Sequence, residues 1–253
     1  YLPHAVNMEI FKKLPEEIVT QFKQQGFSKV EVDDRMVFFW NNRNARRKMS
    51  GSVVWWFKDF LDRVGHDKAR LIMHTDPKDM HGQDLTHLLS RLGLVNGEVM
   101  LSTQKVTPEE LAMLYNMADC TINIADAEGF GLATFESLAC ETPIIVNMTG
   151  GLQEQVTDGK NWFGIGIEPS SKAIIGSQEV PYIYEDRVSK EDFLDSMEKF
   201  YNLSAEDRSE MGRLGRQHLT NNYSFEQFAE RWDRVLSDVH KNYGSWEDRK
   251  NYS

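Results

Sequence analysis

The feature that most limits how this chain can fold is a set of short apolar runs that recur between helix-length segments. Met36 to Trp40 (Met-Val-Phe-Phe-Trp) has no polar interruption, as a strand buried on both faces requires. A helix-length segment follows at 52–64, then a second strand over 70–74 (Arg-Leu-Ile-Met-His) and a helix over 84–92. Val99 to Leu101 reads as a short strand. Thr107-Pro108-Glu109-Glu110 then signals a helix start, with Thr as N-cap, Pro in the first turn and Glu at the third position. That helix runs to about Met117, and 120–125 is extended again. Residues 132–139 are helical and 143–147 form a further strand. Strands spaced by helices of this length imply an α/β fold, a parallel sheet with helices on both faces. Ligands of such sheets bind where strands end and helices begin.

After Gly159 the alternation weakens, and 160–188 reads as loop with short extended pieces. Extra C-terminal helices close the chain at about 189–201, 204–220 and 224–241, and 244–253 reads as a frayed tail. Two units are expected: a nucleotide-sugar-binding domain over 1–222 and a C-terminal helix with its tail over 223–253.

Charge and cysteine usage remove several classes. With 29 Lys and Arg against 39 Asp and Glu, the formal net charge is −10, which opposes nucleic-acid binding. Cys120 and Cys140 each lie in an apolar run without metal-type spacing, so both read as reduced core residues. His66, His74, His81 and His87 show no ligand spacing, and no metal site is expected. No stretch reaches the roughly 20 apolar residues of a membrane span, and the opening Tyr-Leu-Pro-His is unlike a signal peptide. The chain therefore reads as cytoplasmic, and the sequons at Asn147, Asn202 and Asn222 as chance matches.

The most informative stretch is Glu128-Gly129-Phe130-Gly131-Leu132-Ala133-Thr134-Phe135-Glu136, between a strand and a helix. Two glycines let the backbone turn and approach a ligand closely. The free amides of the helix start suit a phosphate. Leu132, Phe135, Leu138 and Ala139 form the expected apolar stripe, with Glu136 off it. A carboxylate is repelled by phosphate, so the natural targets of Glu128 and Glu136 are hydroxyls, and a sugar-containing phosphate ester supplies both groups. Two glutamates eight apart are ordinarily just solvated; the glycines and the flanking strands argue otherwise here. Asn42-Arg43-Asn44-Ala45-Arg46-Arg47-Lys48 puts four cations in six residues at the end of the first strand. Such a cluster is either a solvated basic turn or the counter-charge that a diphosphate needs.

These segments resemble the C-terminal domain of family 4 retaining glycosyltransferases, of the Rossmann-like GT-B fold. Glu128 to Glu136 matches that family's E-x7-E motif. Arg43 and Lys48 match its Gly-Arg-x4-Lys element, with Asn42 in place of the glycine. Thr149-Gly150-Gly151 matches the glycine pair after the next strand, and Tyr1 to Asn7 with Phe11 the entry to the domain, Ala5 and Asn7 departing. The resemblance covers residues 1–160 well and the last helices loosely. It implies glycosyl transfer from a nucleotide-diphosphate sugar, such as a UDP or GDP sugar, with retention and without metal or other cofactor. Arg43 and Lys48 would hold the departing diphosphate, and Glu128 the hydroxyls of the donor sugar. Glu136 would hold the ribose, and Gly129, Phe130, Gly131, Leu132, Gly150 and Gly151 would contact phosphate and sugar. The nucleobase is expected near 101–105.

Glu141 departs from the small residue usual at its place, and 161–188 has no counterpart. Tyr182, Tyr184, Asp186 and Arg187 lie there and read as loop packing, with a place lining the base or sugar pocket as the alternative. Full enzymes of this family carry the acceptor on a preceding half, so a separate acceptor-binding domain is an expected partner. A face of Phe225, Phe228, Trp232 and Val235 on the last helix would then be exposed and could form a homo-oligomer. The alternative function is a nucleotide-sugar-binding module that is inactive without a partner. A third reading, a sugar-nucleotide epimerase of similar shape, lacks support because the sequence offers no convincing set of acid–base residues beyond the two glutamates.

Overall fold

A computed structural model describes residues 1–26 and 34–250 of the chain. Its centre is a six-stranded parallel sheet of β1 (Met36–Asn41), β2 (Ala69–His74), β3 (Val99–Ser102), β4 (Cys120–Asn123), β5 (Ile144–Asn147) and β6 (Gly164–Ile167). The spatial order is β3-β2-β1-β4-β5-β6. β1 pairs with β2 from Met36↔Ala69 and with β4 at Phe38↔Cys120. Successive strands therefore step outward in one direction from β1 and in the other from β4. The crevice between those two is the topological switch point at which such sheets bind ligands.

The helices are α1 (Glu16–Gly26), α2 (Ser50–Val64), α3 (Leu85–Leu92), α4 (Pro108–Met117), α5 (Leu132–Ala139), α6 (Leu152–Val156), α7 (Lys190–Tyr201), α8 (Ala205–Asn222) and α9 (Phe225–Tyr243). Strand periodicity of two sorts their partners. Phe38 and Trp40 join a core with α2, α3 and α7, while Val37 and Phe39 join one with α4, α5, α6 and α8. Phe38, Phe39 and Trp40 are fully buried, and truncating any one to alanine would cost about 3–5 kcal/mol. Val6 and Phe11 of the opening segment close the second core. The capping box at Thr107 forms as expected: its hydroxyl accepts from Glu110 N, and the Glu110 carboxylate accepts from Thr107 N.

Two helices, α1 and α6, and three short strands, β6 to β8, go beyond the elements that the sequence placed individually. α1 is an additional helix ahead of the first strand. β6 lies within 160–188, read as loop with short extended pieces, where its Gly-Ile-Gly-Ile sequence does not mark a sheet strand. A side chain at Gly164 would strike the Ile144 backbone, so the glycine marks a close strand approach rather than a turn. After β6, β7 (Ser171–Ile174) and β8 (Tyr184–Arg187) form an antiparallel hairpin. The tail is not frayed throughout: Gly244 bridges to Arg249, while 251–253 lie outside the described residues. α9 buries none of its residues, leaving Phe225, Trp232, Val235, Leu236 and Val239 exposed.

Candidate functional site

Each of the central strands β1, β4 and β5 ends on an asparagine whose side chain ties the strand end to a neighbouring segment of the site. Asn41 donates to the Tyr115 hydroxyl at 2.8 Å. Asn123 donates to Glu128 at 3.3 Å and accepts from Ala125 N. Asn147 donates to the carbonyls of Ala125 (2.9 Å) and Asp186 (2.8 Å). Asn147 is fully buried, which removes it as a glycosylation acceptor.

The loop from β1 to α2 is set by buried polar contacts. Asn44, fully buried, donates to the Gln83 carbonyl at 2.7 Å and accepts from Ser50 Oγ at 2.6 Å. Met49 takes a left-handed conformation (φ 59°) as the chain turns into α2. The four basic residues of this segment then diverge. Arg43, largely exposed, makes a bidentate contact with Asp79, at 2.6 and 3.2 Å. Arg46 pairs with Glu185, and Arg47 Nη1 donates to the Ala127 carbonyl at 2.7 Å. Lys48 is buried and donates to Glu128. Of the two expected phosphate-holding cations, the structure brings Lys48 to Glu128 and turns Arg43 toward the loop after β2.

Glu128 opens the loop from β4 to α5, which is fitted against the loop from β5 to α6. Gly131, N-cap of α5, has φ 91°, a conformation that disfavours any side chain. A Cβ on Gly150 would strike the Glu128 carbonyl, and one on Gly151 would lie 2.7 Å from that of Phe130. Gly151 N donates to the Gly129 carbonyl at 3.2 Å and Gln155 Nε2 to that of Phe130 at 2.7 Å. Gly129 differs from these three in that a Cβ there would meet nothing within 4 Å. Internal packing explains Gly131, Gly150 and Gly151, whereas Gly129 borders open space. No side chain caps α5, so its first-turn amides face outward at the positive end of the helix dipole. Leu132 does not join the apolar stripe; at 51% exposure it lies at the loop rim while Phe135 and Leu138 are fully buried. The stripe starts only at Phe135 because the left-handed turn at Gly131 lifts the first residue away from the core.

Glu136, one turn into α5, is mostly buried and accepts a hydrogen bond from Tyr115 Oη at 2.9 Å. Burial pushes its carboxyl up to about 6, partly offset by the Tyr115 hydrogen bond. Asn41, Tyr115 and Glu136 thus form a line from the end of β1 to α5. For Lys48, burial lowers the ammonium from its ordinary value, against the attraction of Glu128.

Two other features lie at this edge. A cavity of about 430 Å³ at the end of β3 is lined by Leu101, Ser102, Thr103, Gln104 and Val106, beside α4. Glu185 of β8 is buried against Arg46, and Asp186 accepts from Thr149 Oγ1 at 2.7 Å. Asp186 therefore bonds to the loop after β5, Arg187 donates to Glu185 on its own strand with Nε 3.9 Å from Asp126, and Tyr182 and Tyr184 are exposed. Among the described residues, no group of His, Cys, Asp and Glu is arranged to hold a metal ion, and no helix is long and apolar enough to cross a membrane. Cys120 and Cys140 are free and buried.

The sequence reading missed Asn41, Tyr115, Asn123 and the Asn44–Ser50–Gln83 group. A usable signal existed for two of these, since Phe-Phe-Trp-Asn, Cys-Thr-Ile-Asn and Ile-Ile-Val-Asn end three successive central strands alike.

Comparison with known proteins agrees with this geometry. The family described as glycosyl transferases group 1 matches residues 89–218, just over half of the chain and including the Glu128–Glu136 loop and helix. A D-inositol 3-phosphate glycosyltransferase of Paenarthrobacter aurescens is 28% identical over 136 residues, covering 53% of this chain and 28% of that enzyme. Across the first curated relatives the chain spans between 25% and 35% of their length. The sucrose-phosphate synthase of Thermosynechococcus elongatus superposes with a TM-score of 0.72 at 18% identity, over 95% of this chain and 52% of that one. The C-terminal domain of a group 1 glycosyl transferase from Francisella tularensis gives 0.62 at 16% identity, over 87% of this chain and 99% of that domain. The fold is therefore that of a GT-B C-terminal half, and the chain belongs to the glycosyl transferases group 1 family.

Proposed function

We propose that this chain binds the nucleotide-sugar donor of a retaining, metal-independent glycosyltransferase of family 4, and supplies the donor half of its active site. The observation that carries the reading is the arrangement around α5. Its uncapped N-terminus, the open space at Gly129, the Lys48–Glu128 pair and the buried Glu136 lie together at the sheet's switch point.

In this reading the diphosphate lies on the amides of Gly129 to Leu132, with Lys48 as its first counter-charge and Arg43, exposed on Asp79, as the second. As the bond from sugar to phosphate breaks, negative charge grows on the departing oxygen, and these groups stabilise it without a metal. Glu128 holds hydroxyls of the donor sugar, and exchanges its contact with Lys48 when phosphate arrives. Glu136 accepts from the ribose hydroxyls, and the base of a UDP or GDP donor occupies the cavity at 101–104. Gly150 and Gly151 keep the neighbouring loop low enough for the sugar. The acceptor belongs to a separate half, and the exposed apolar face of α9 is where a second surface, such as another copy of the chain, would pack. Two buried free thiols suit a reducing, cytoplasmic setting.

The test is calorimetric titration of UDP, GDP, ADP and their sugar conjugates in EDTA, with wild type and Glu136→Ala. Binding of one nucleotide family, weakened in the variant, supports the reading. No binding by a folded chain overturns it for the chain alone. A turnover assay with the donor so identified then separates an enzyme from a binding module that acts only with a partner.

A further inference from the structure

The β7–β8 hairpin lies outside every motif that points to donor binding, yet its second strand touches all three loops of the site. Glu185 is 2% exposed and accepts both terminal nitrogens of Arg46, from the loop after β1. It also accepts from Arg187 Nη2 at 2.8 Å. Asp186 N donates at 2.7 Å to the carbonyl of Asp126, in the loop after β4. The Asp186 carboxylate accepts from Thr149 in the loop after β5, and its carbonyl accepts from Asn147 at the end of that strand. Asp126 itself is buried, with Arg46 Nη1 at 4.0 Å and Arg187 Nε at 3.9 Å. Two buried acids, Glu185 and Asp126, are thus met by two partly exposed arginines beside the loops that carry Lys48, Glu128 and Gly150.

A network of buried carboxylates and partly exposed guanidiniums is a poor source of net stability, because desolvation of the acids and solvent screening of the arginines offset the attraction. What it supplies is direction: a guanidinium fork meets a carboxylate in one geometry, and three backbone segments are fixed to one strand. Glu136 is held differently, from α4 through Tyr115. No contact of the hairpin reaches that arm among those described.

We propose that β8 is a brace that sets the relative positions of the phosphate- and sugar-holding loops, with Glu185 as its positioning residue. This rests on the donor-binding reading above and adds a division to it. The hairpin governs the diphosphate-sugar end of the ligand and leaves the nucleoside end to Glu136 and Tyr115. Glu185 acts through Arg46 and does not itself touch the donor.

The test is titration of the full chain, in EDTA, with UMP and UDP-glucose and with GMP and GDP-mannose. The proteins are wild type, Glu185→Gln and Asp186→Asn, with thermal unfolding of each as a check on folding. The brace predicts that Glu185→Gln weakens the sugar nucleotide about tenfold while leaving the monophosphate within about twofold, a loss typical of one charged hydrogen bond. Asp186→Asn, which weakens the tie to Thr149 and the pair with Lys172 while leaving the Arg46–Glu185 fork intact, gives a smaller loss in the same ligand and decides the matter if Glu185→Gln fails to fold. Equal weakening of both ligands would mean a merely structural role, and no weakening of either would mean none; both overturn the brace. If wild type binds none of the four probes, nor AMP and ADP-glucose titrated in the same way, the donor reading itself fails and the brace fails with it.

Discussion

Replacing Glu136 with glutamine separates the cost of the candidate ribose-binding carboxylate from its use. In the folded chain this carboxyl is pushed from an ordinary 4.5 to about 6, chiefly by burial. The Tyr115 hydroxyl, 2.9 Å away, survives as a donor to a glutamine oxygen, so the substitution removes charge with little change of shape. A carboxyl whose folded-state pKa lies above its unfolded one takes up a proton on folding between those values. It costs nothing below pH 4.5, and destabilises progressively as pH rises through 6. The shift of about 1.5 units corresponds to about 2 kcal/mol above pH 7. Glu136→Gln should therefore raise the melting temperature at pH 8 by about 4–8 °C in a chain of this size, and leave it unchanged at pH 4.5. Calorimetric unfolding at the two pH values measures this directly, and titration with the bound nucleotide should show affinity lost in the same variant. In wild type, nucleotide affinity should fall as pH drops below about 6, as the carboxylate that accepts the hydroxyls is protonated. An equal change in melting temperature at both pH values, or a destabilised variant at pH 8, would refute the reasoning.

Three other perturbations probe separate parts of the site. Gly129→Ala meets no atom within 4 Å, so stability should stay within about 1 kcal/mol while nucleotide-sugar affinity drops by about tenfold or more; unchanged affinity would show that no ligand occupies that space. Tyr115→Phe removes the hydrogen bond that holds Glu136 down, so the pH midpoint of nucleotide binding should move upward, at a cost of about 1–3 kcal/mol for the unpaired polar groups; an unmoved midpoint would detach Tyr115 from the site. If the bare face of α9 drives self-association, light scattering should show mass rising with concentration in wild type and less so in Trp232→Asp, whereas a clean wild-type monomer throughout would dismiss the idea.

What could be read from the sequence divides along the distance over which each feature is encoded. The five strands from Met36 to Asn147 and the glycine-started helix α5 are local statements, carried by β-branched and aromatic runs and by Gly131, and they stand where expected. β6 escaped because its glycines answer to Ile144 on the neighbouring strand and to Met148, a condition that no local pattern displays. Partner choice was equally hidden. Arg43 and Lys48 look alike in sequence, yet one meets Asp79, thirty-six residues on, and the other Glu128, eighty residues on. The hairpin is the extreme case: its acids bond to residues 139 and 37 positions away, at Arg46 and Thr149. Residues that present chemistry to a ligand sit in short motifs because a tight turn must place them together. Residues that hold those turns in position come from wherever the fold brings a second strand, so their signal lies in the tertiary structure. The asparagines that end β1, β4 and β5 fall between the two kinds: each is local to its strand end, yet Asn41 and Asn147 bond far along the chain, at Tyr115 and Asp186, while Asn123 bonds to Glu128 in its own loop. Strand-end polar residues are thus the part of a supporting framework that a single sequence exposes first.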